Sequence, residues 1–135
     1  MKKIILIIVA IATVLACSVY YYVFVYAKNH HRDPINEQGI IVTAEKMVNT
    51  FQKNEQEANT LYLNKTVEVT GKVASIIKNQ ENKTVISLQS QDPFSAVACT
   101  LKIENNKIYV GQTITIKGIC TGFLSDVIVV EAALK

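Results

Sequence analysis

Three cysteines, two adjacent histidines and a scatter of acids are the side chains here with chemistry to offer. Cys17 lies in an uncharged apolar run, whereas Cys99 and Cys120 lie where apolar and polar residues alternate. Neither belongs to a Cys-x-x-Cys motif and neither has a cationic neighbour to lower its pKa, which argues against redox work; a thiol-redox or enzyme-accessory component using this pair is the alternative to a binding module. Outside the cytoplasm such a pair can oxidise to a disulfide. Two free thiols packed as small apolar groups fit equally well. His30 and His31 are consecutive, so on a strand they point apart; they read as part of a solvated tether and not as metal ligands. Glu68, Asp92, Asp126 and Glu131 are dispersed, and nothing pairs them as general acid and base. Asp126 follows Thr121-Gly122-Phe123-Leu124-Ser125 and reads as a loop cap. There is no Gly-x-Ser-x-Gly, and the histidines are remote from any serine, so nucleophilic hydrolysis lacks its parts. No metal cluster, phosphate loop or cofactor motif stands out. The expectation is a protein without enzymatic activity.

The elements that position these residues fall into three stretches. Residues 1–27 read as a membrane anchor. From Ile4 to Ala27 there is neither charge nor proline, and 24 helical residues span about 36 Å at 1.5 Å each. That exceeds the ~30 Å of bilayer hydrocarbon. Tyr20, Tyr21, Tyr22 and Tyr26 crowd one end, where amphipathic rings favour the headgroup zone. Lys2 and Lys3 suit a cytoplasmic start, although Lys28 and Arg32 weaken that asymmetry. Two rivals are lipidation at Cys17, after Val14-Leu15-Ala16, and cleavage near Ala10-Ile11-Ala12. A retained anchor is preferred because lipidation would leave an apolar stub from Ser18 to Ala27, and the run before Ala10 is short. All three place the remainder outside the cytoplasm, at a periplasmic or cell-surface address.

Residues 28–42, with Asp33-Pro34 and Gly39, read as a linker. Residues 43–135 form the domain. Thr43 is a good N-cap, and Met47, Val48, Phe51, Ala58 and Tyr62 recur at helical steps, predicting one amphipathic helix of about 17 residues. After Asn64 the period changes to two. Strands are predicted over Thr66–Ile76, Thr84–Gln89, Ala96–Leu101, Val110–Thr121 and Asp126–Leu134. Their inward sets are Val67, Val69, Gly71 and Val73; Ile86 and Leu88; Val97, Cys99 and Leu101; Ile114, Ile116, Gly118 and Cys120. Five short strands and one helix suit a small closed barrel, which has no open edges, with Gly71 and Gly118 marking sharp coiling.

Phe51-Gln52-Lys53-Asn54-Glu55 with Ala58-Asn59 and Tyr62, Val69-Thr70-Gly71-Lys72-Val73, Cys99-Thr100-Leu101, Ile116-Lys117-Gly118-Ile119-Cys120-Thr121-Gly122 and Ser125-Asp126-Val127 resemble the tRNA_anti-like family of bacterial surface proteins. The resemblance runs from Thr43 to the C-terminus. It implies a mainly β fold: a five-stranded oligonucleotide/oligosaccharide-binding (OB) barrel preceded by a helix and, commonly, a membrane anchor. It carries no settled activity, and a barrel like those that bind anticodons does not confer tRNA binding. Similar members commonly have a further cysteine where this chain has Ala132, so no family disulfide pattern transfers. OB connectivity also separates the third and fourth strands, whereas a disulfide needs Cα atoms within about 7 Å.

OB barrels bind across their second and third strands and the flanking loops. Here those positions include Lys72, Lys78, Lys83, Ser87, Gln89, Phe94, Thr100, Phe123 and Ser125. Single-stranded nucleic acid wants a cationic groove with stacking aromatics. Apart from Lys2 and Lys3, the chain has 12 basic residues against 11 acidic ones, and no tryptophan. That balance argues against nucleic acid and for a polypeptide or glycan partner, without a cofactor.

Overall fold

A computed structural model of the chain describes residues 2–26, 34–105 and 107–135. Two compact units divide near residue 32. The first is a helix, α1 (Lys2–Tyr21), continued by a π-helical turn over Tyr22–Tyr26. Lys2–Tyr26 is long and apolar enough to cross a membrane, and none of it is buried by protein. Rings pair at its end, Tyr20 on Phe24 at 4.7 Å and Tyr22 on Tyr26 at 5.4 Å. Cys17 is exposed on this helix. Ala27, His30 and His31 lie outside the described residues.

The second unit is the barrel. Its strands are β1 (Ile40–Thr43), β2 (Thr66–Lys78), β3 (Thr84–Gln89), β4 (Ala96–Leu101), β5 (Thr113–Phe123) and β6 (Val127–Leu134). The sheet order is β1-β2-β3-β4-β6-β5, and pairing of β2 with β5 closes a five-stranded barrel over which β1 is laid. This is the predicted OB barrel. Long β2 makes closure possible: Thr66–Lys72 pair with β5, and Val73–Lys78 pair with β3 across a bulge at Ala74. The inward sets follow the two-residue period, with Val67, Val69, Val73, Ile86, Leu88, Val97, Cys99, Ile116 and Cys120 all buried. In β6 the alternation slips by one residue, from Val129 to Ala132, where Glu131 takes φ 51° and bulges the strand. Gly71 serves close packing: a Cβ there would lie 2.9 Å from Ala44 Cβ and 3.1 Å from Leu88 Cβ.

The predicted single helix is two. α2 (Ala44–Lys53) starts at the Thr43 N-cap, whose hydroxyl accepts from the Lys46 N–H at 3.2 Å. α3 (Glu55–Tyr62) starts after Asn54. Asn54 leaves helical geometry yet caps both helices. Its N–H donates to Thr50 O at 3.1 Å, and its side-chain oxygen accepts from the Glu57 N–H at 3.2 Å. An asparagine side chain competes for backbone groups in this way, so it favours a helix junction over a helix interior. The apolar stripe survives the break: Met47, Val48, Phe51, Ala58 and Tyr62 are all buried.

The linker reading also changes. Pro34–Asn36 form a 3-10 turn, and Ile40–Thr43 form β1, parallel to Val67–Thr70. Four residues ending in an N-cap gave no periodic signal, and a parallel partner lies far along the chain. This strap buries the outer face of β2, so Thr66 and Glu68 are enclosed although alternation puts them on the solvent side. Thr66 donates to Glu37 at 2.7 Å, and Lys117 donates to Ile35 O at 3.1 Å. Lys135 Nζ lies 2.6 Å and Lys117 Nζ 3.4 Å from the Glu68 carboxylate. The Lys135 hydrogen bond, reinforced by Lys117, holds the Glu68 carboxyl below its ordinary value of 4.5 against the opposing effect of burial.

A depressed folded pKa has a definite sign. The unfolded chain takes up this proton more readily, so the stabilisation is present above the ordinary carboxyl range and is lost as pH falls through the folded value. Urea midpoints measured from about pH 6 down to about pH 2 should therefore fall less steeply for Glu68→Gln than for the parent chain. Parallel acid limbs would show that the lysine contacts do not stabilise the carboxylate.

Candidate functional site

The β3–β4 connection, Ser90 to Ser95, is the most heavily hydrogen-bonded loop at the predicted binding side. The Ser90 hydroxyl donates to Ser95 O at 2.5 Å and accepts from the Asp92 N–H at 3.1 Å. Asp92 accepts from the Phe94 N–H at 2.8 Å and from the Gln52 side-chain amide of α2. Asp126, in the neighbouring β5–β6 loop, accepts from the Ala96 N–H at 2.8 Å. Both acids therefore hold loops in place, as the sequence suggests for Asp126. Both side chains also border the cleft beneath, each engaged with protein donors.

Beneath this loop a cleft of about 780 Å³ runs over the outer face of β2 and β3. Of the nine predicted contacts it brings together four: Lys72, Ser87, Gln89 and Phe94. The β3–β4 loop and Asp126 supply further wall, and Ser75, Gln91, Val110 and Gly111 join them without having been predicted as contacts. Ser75 had been counted simply as strand. Val110 and Gly111 arrive from the β4–β5 connection, where the Gly111 N–H donates to Val73 O at 2.7 Å and the Val73 N–H donates to Gln112 O at 2.8 Å. The glycine in Tyr109-Val110-Gly111-Gln112 was the available turn signal, but its contact partner was not legible.

The other five fall elsewhere. Lys83 and Thr100 line a second, smaller cleft of about 500 Å³ beside Lys102 and Glu131. Lys78 is paired with Glu104. Ser125 is exposed in the β5–β6 loop and lines neither cleft. Phe123 is half-buried: its ring stacks on Phe51 at 5.6 Å and packs against the core, which covers one of its faces.

β6 separates the strands that carry the two domain cysteines. Cys99 and Cys120 are buried free thiols, and Val129 of β6 pairs with Cys99 on one side and Cys120 on the other. Two strand spacings, about 9.5 Å, exceed disulfide reach. Burial first, and Cys120 second, push the Cys99 thiol up to about 12. Burial likewise pushes Cys120 up, with the Gly122 backbone hydrogen bond opposing it. Thiols so shielded pack as apolar groups. Among the described residues no group of three or more His, Cys, Asp or Glu is placed to hold a metal ion.

What the larger cleft offers is hydrogen bonding: hydroxyls of Ser75 and Ser87, amides of Gln89 and Gln91, one lysine and the aspartates Asp92 and Asp126, with Phe94 at the mouth. No curated protein matches the chain. Among solved structures it is similar to a Klebsiella pneumoniae protein described as a "putative nucleic acid-binding lipoprotein". The two share 14% identity and a TM-score of 0.55 over 70% of this chain and 92% of that one, so the likeness speaks for the fold alone. The model of the tRNA_anti-like family matches residues 1–134. With barrel order, capping helices and sequence in agreement, the chain belongs to the tRNA_anti-like family.

Proposed function

We propose that this protein is a non-enzymatic binding module of the cell envelope, anchored by α1, with its barrel outside the cytoplasm. Its ligand is an uncharged stretch of polypeptide or glycan held in the larger cleft. The observation that carries this reading is the cleft's lining: hydroxyls and amides, a single cation, Lys72, and two carboxylates, Asp92 and Asp126, already bonded to protein donors. Such a surface recognises neutral hydrogen-bonding polymers, whereas a phosphate backbone favours several cations in a row.

Nucleic acid is the second reading, favoured by the name of the Klebsiella protein. Thiol-redox work is disfavoured by the burial of both domain cysteines. Salt separates the two binding readings. The full chain in lipid nanodiscs should retain envelope glycan or unfolded polypeptide with little change between about 50 and 200 mM salt, while oligonucleotide binding would fall steeply over that range. Gln89→Ala combined with Ser87→Ala should weaken the neutral ligand about tenfold, the loss of one or two hydrogen bonds. Oligonucleotide retention that collapses with salt, alongside no neutral-polymer binding, would replace the first reading with the second.

A further inference from the structure

Two of the most exposed large apolar side chains of the barrel unit sit at the same end of it. Phe94, in the β3–β4 loop, is 88% exposed, and Leu124, in the β5–β6 loop, is 85% exposed. The loops are bonded together by the Ala96 N–H donating to Asp126 at 2.8 Å. Each is also closed internally. Ser90 and Asp92 fix the first, and the Leu124 N–H donates to Asp126 O at 3.1 Å in the second. Their only charged residues are Asp92 and Asp126, and both carboxylates are turned to protein donors. The tips therefore present Pro93, Phe94, Leu124 and Ser125 without an opposing charge.

From this geometry we infer that the paired loops are a second membrane contact, with Phe94 and Leu124 seated in the headgroup zone of the bilayer. The inference rests on the reading of α1 as a membrane anchor. Only residues 27–33 separate that anchor from Pro34, at most about 25 Å of extended chain, so a lipid surface is an apolar phase close to the barrel. Hydrogen-bonded loops whose uncharged tips end in an aromatic and an aliphatic side chain suit that phase. Such side chains enter the boundary between headgroup and acyl chain to a depth of about 5–10 Å, and the pre-fixed loops lose little freedom on doing so. Held this way, the mouth of the cleft at Phe94 meets its ligand at the membrane surface.

The chain has no tryptophan, so one substitution creates a single fluorescent reporter. Full-length Phe94→Trp and Leu124→Trp would be placed in phosphatidylcholine–phosphatidylglycerol vesicles containing brominated lipid. Tyr22→Trp in the anchor and Gln80→Trp in the β2–β3 turn, beyond the opposite end of β3, are the references. The expected result is quenching of Phe94→Trp and Leu124→Trp to within about twofold of Tyr22→Trp, with Gln80→Trp unquenched. Loop reporters as unquenched as Gln80→Trp beside a quenched Tyr22→Trp would overturn the loop contact and leave the anchor standing. Gln80→Trp quenched as strongly as the loops would overturn the choice of end. An unquenched Tyr22→Trp would remove the anchor itself, and this inference with it.

Discussion

Phe51→Ala should lower the stability of the barrel by about 3–5 kcal/mol, the cost of removing a large buried ring and leaving a cavity. Phe51 is 2% exposed, and its ring lies 6.0 Å from Tyr62 and 5.6 Å from Phe123. The three rings join α2, α3 and the end of β5, so the cavity would open where helices meet barrel. Against a typical total of about 5–15 kcal/mol, that loss is severe. The check is urea denaturation of the full chain in nanodiscs, followed by circular dichroism. A midpoint shift worth less than about 1 kcal/mol would mean that the helices collapse into the gap, and that the aromatic cluster does not fasten them.

Gly118→Ala attacks the barrel from the opposite direction, by adding volume. A Cβ at Gly118 would stand 2.7 Å from Val129 Cγ1, 2.8 Å from Val130 O and 3.1 Å from Ala132 Cα. Two of those three atoms are backbone of the bulged β6, which cannot swing aside as a side chain can. Overpacking of this kind costs about 1–3 kcal/mol and sometimes more; with backbone in the way the expected value is the top of that range. Adding Val129→Ala removes one obstacle but leaves the Val130 carbonyl, so the double variant should regain only part of the loss. Full recovery would show that β6 yields freely and that the glycine is dispensable.

Gly118 also illustrates what was legible. Its place inside an alternating strand marked a site of tight coiling, and the structure supplies the physical cause, the close approach of β6. The inward sets of four strands could be read because a half-buried strand writes its burial into every second residue. The long N-terminal helix was equally plain, being apolar without interruption. Three features left no such trace. β1 is four residues long with a parallel partner, and parallel pairing joins stretches that are distant in sequence. Asn54 sits within an apolar stripe that continues across it, so periodicity hid the break. The burial of Phe123 depends on Phe51, seventy-odd positions earlier. The cleft shows the same limit. Ser87 and Gln89 follow from strand position, but the arrival of Val110 and Gly111 at its wall depends on the path of a long connection. Alternation says which way a side chain points, not what comes to meet it.

The strap has a mechanical consequence. β1 runs parallel to β2, with Ile40 opposite Val67 and Thr43 opposite Thr70. A tug arriving from the N-terminal side pulls β1 along its own axis, so its bonds to β2 share the load together instead of parting one after another. Glu37 on Thr66 and Lys117 on Ile35 O add cross-ties just ahead of that seam. A barrel pulled from that side is thereby fastened in the direction in which tension reaches it.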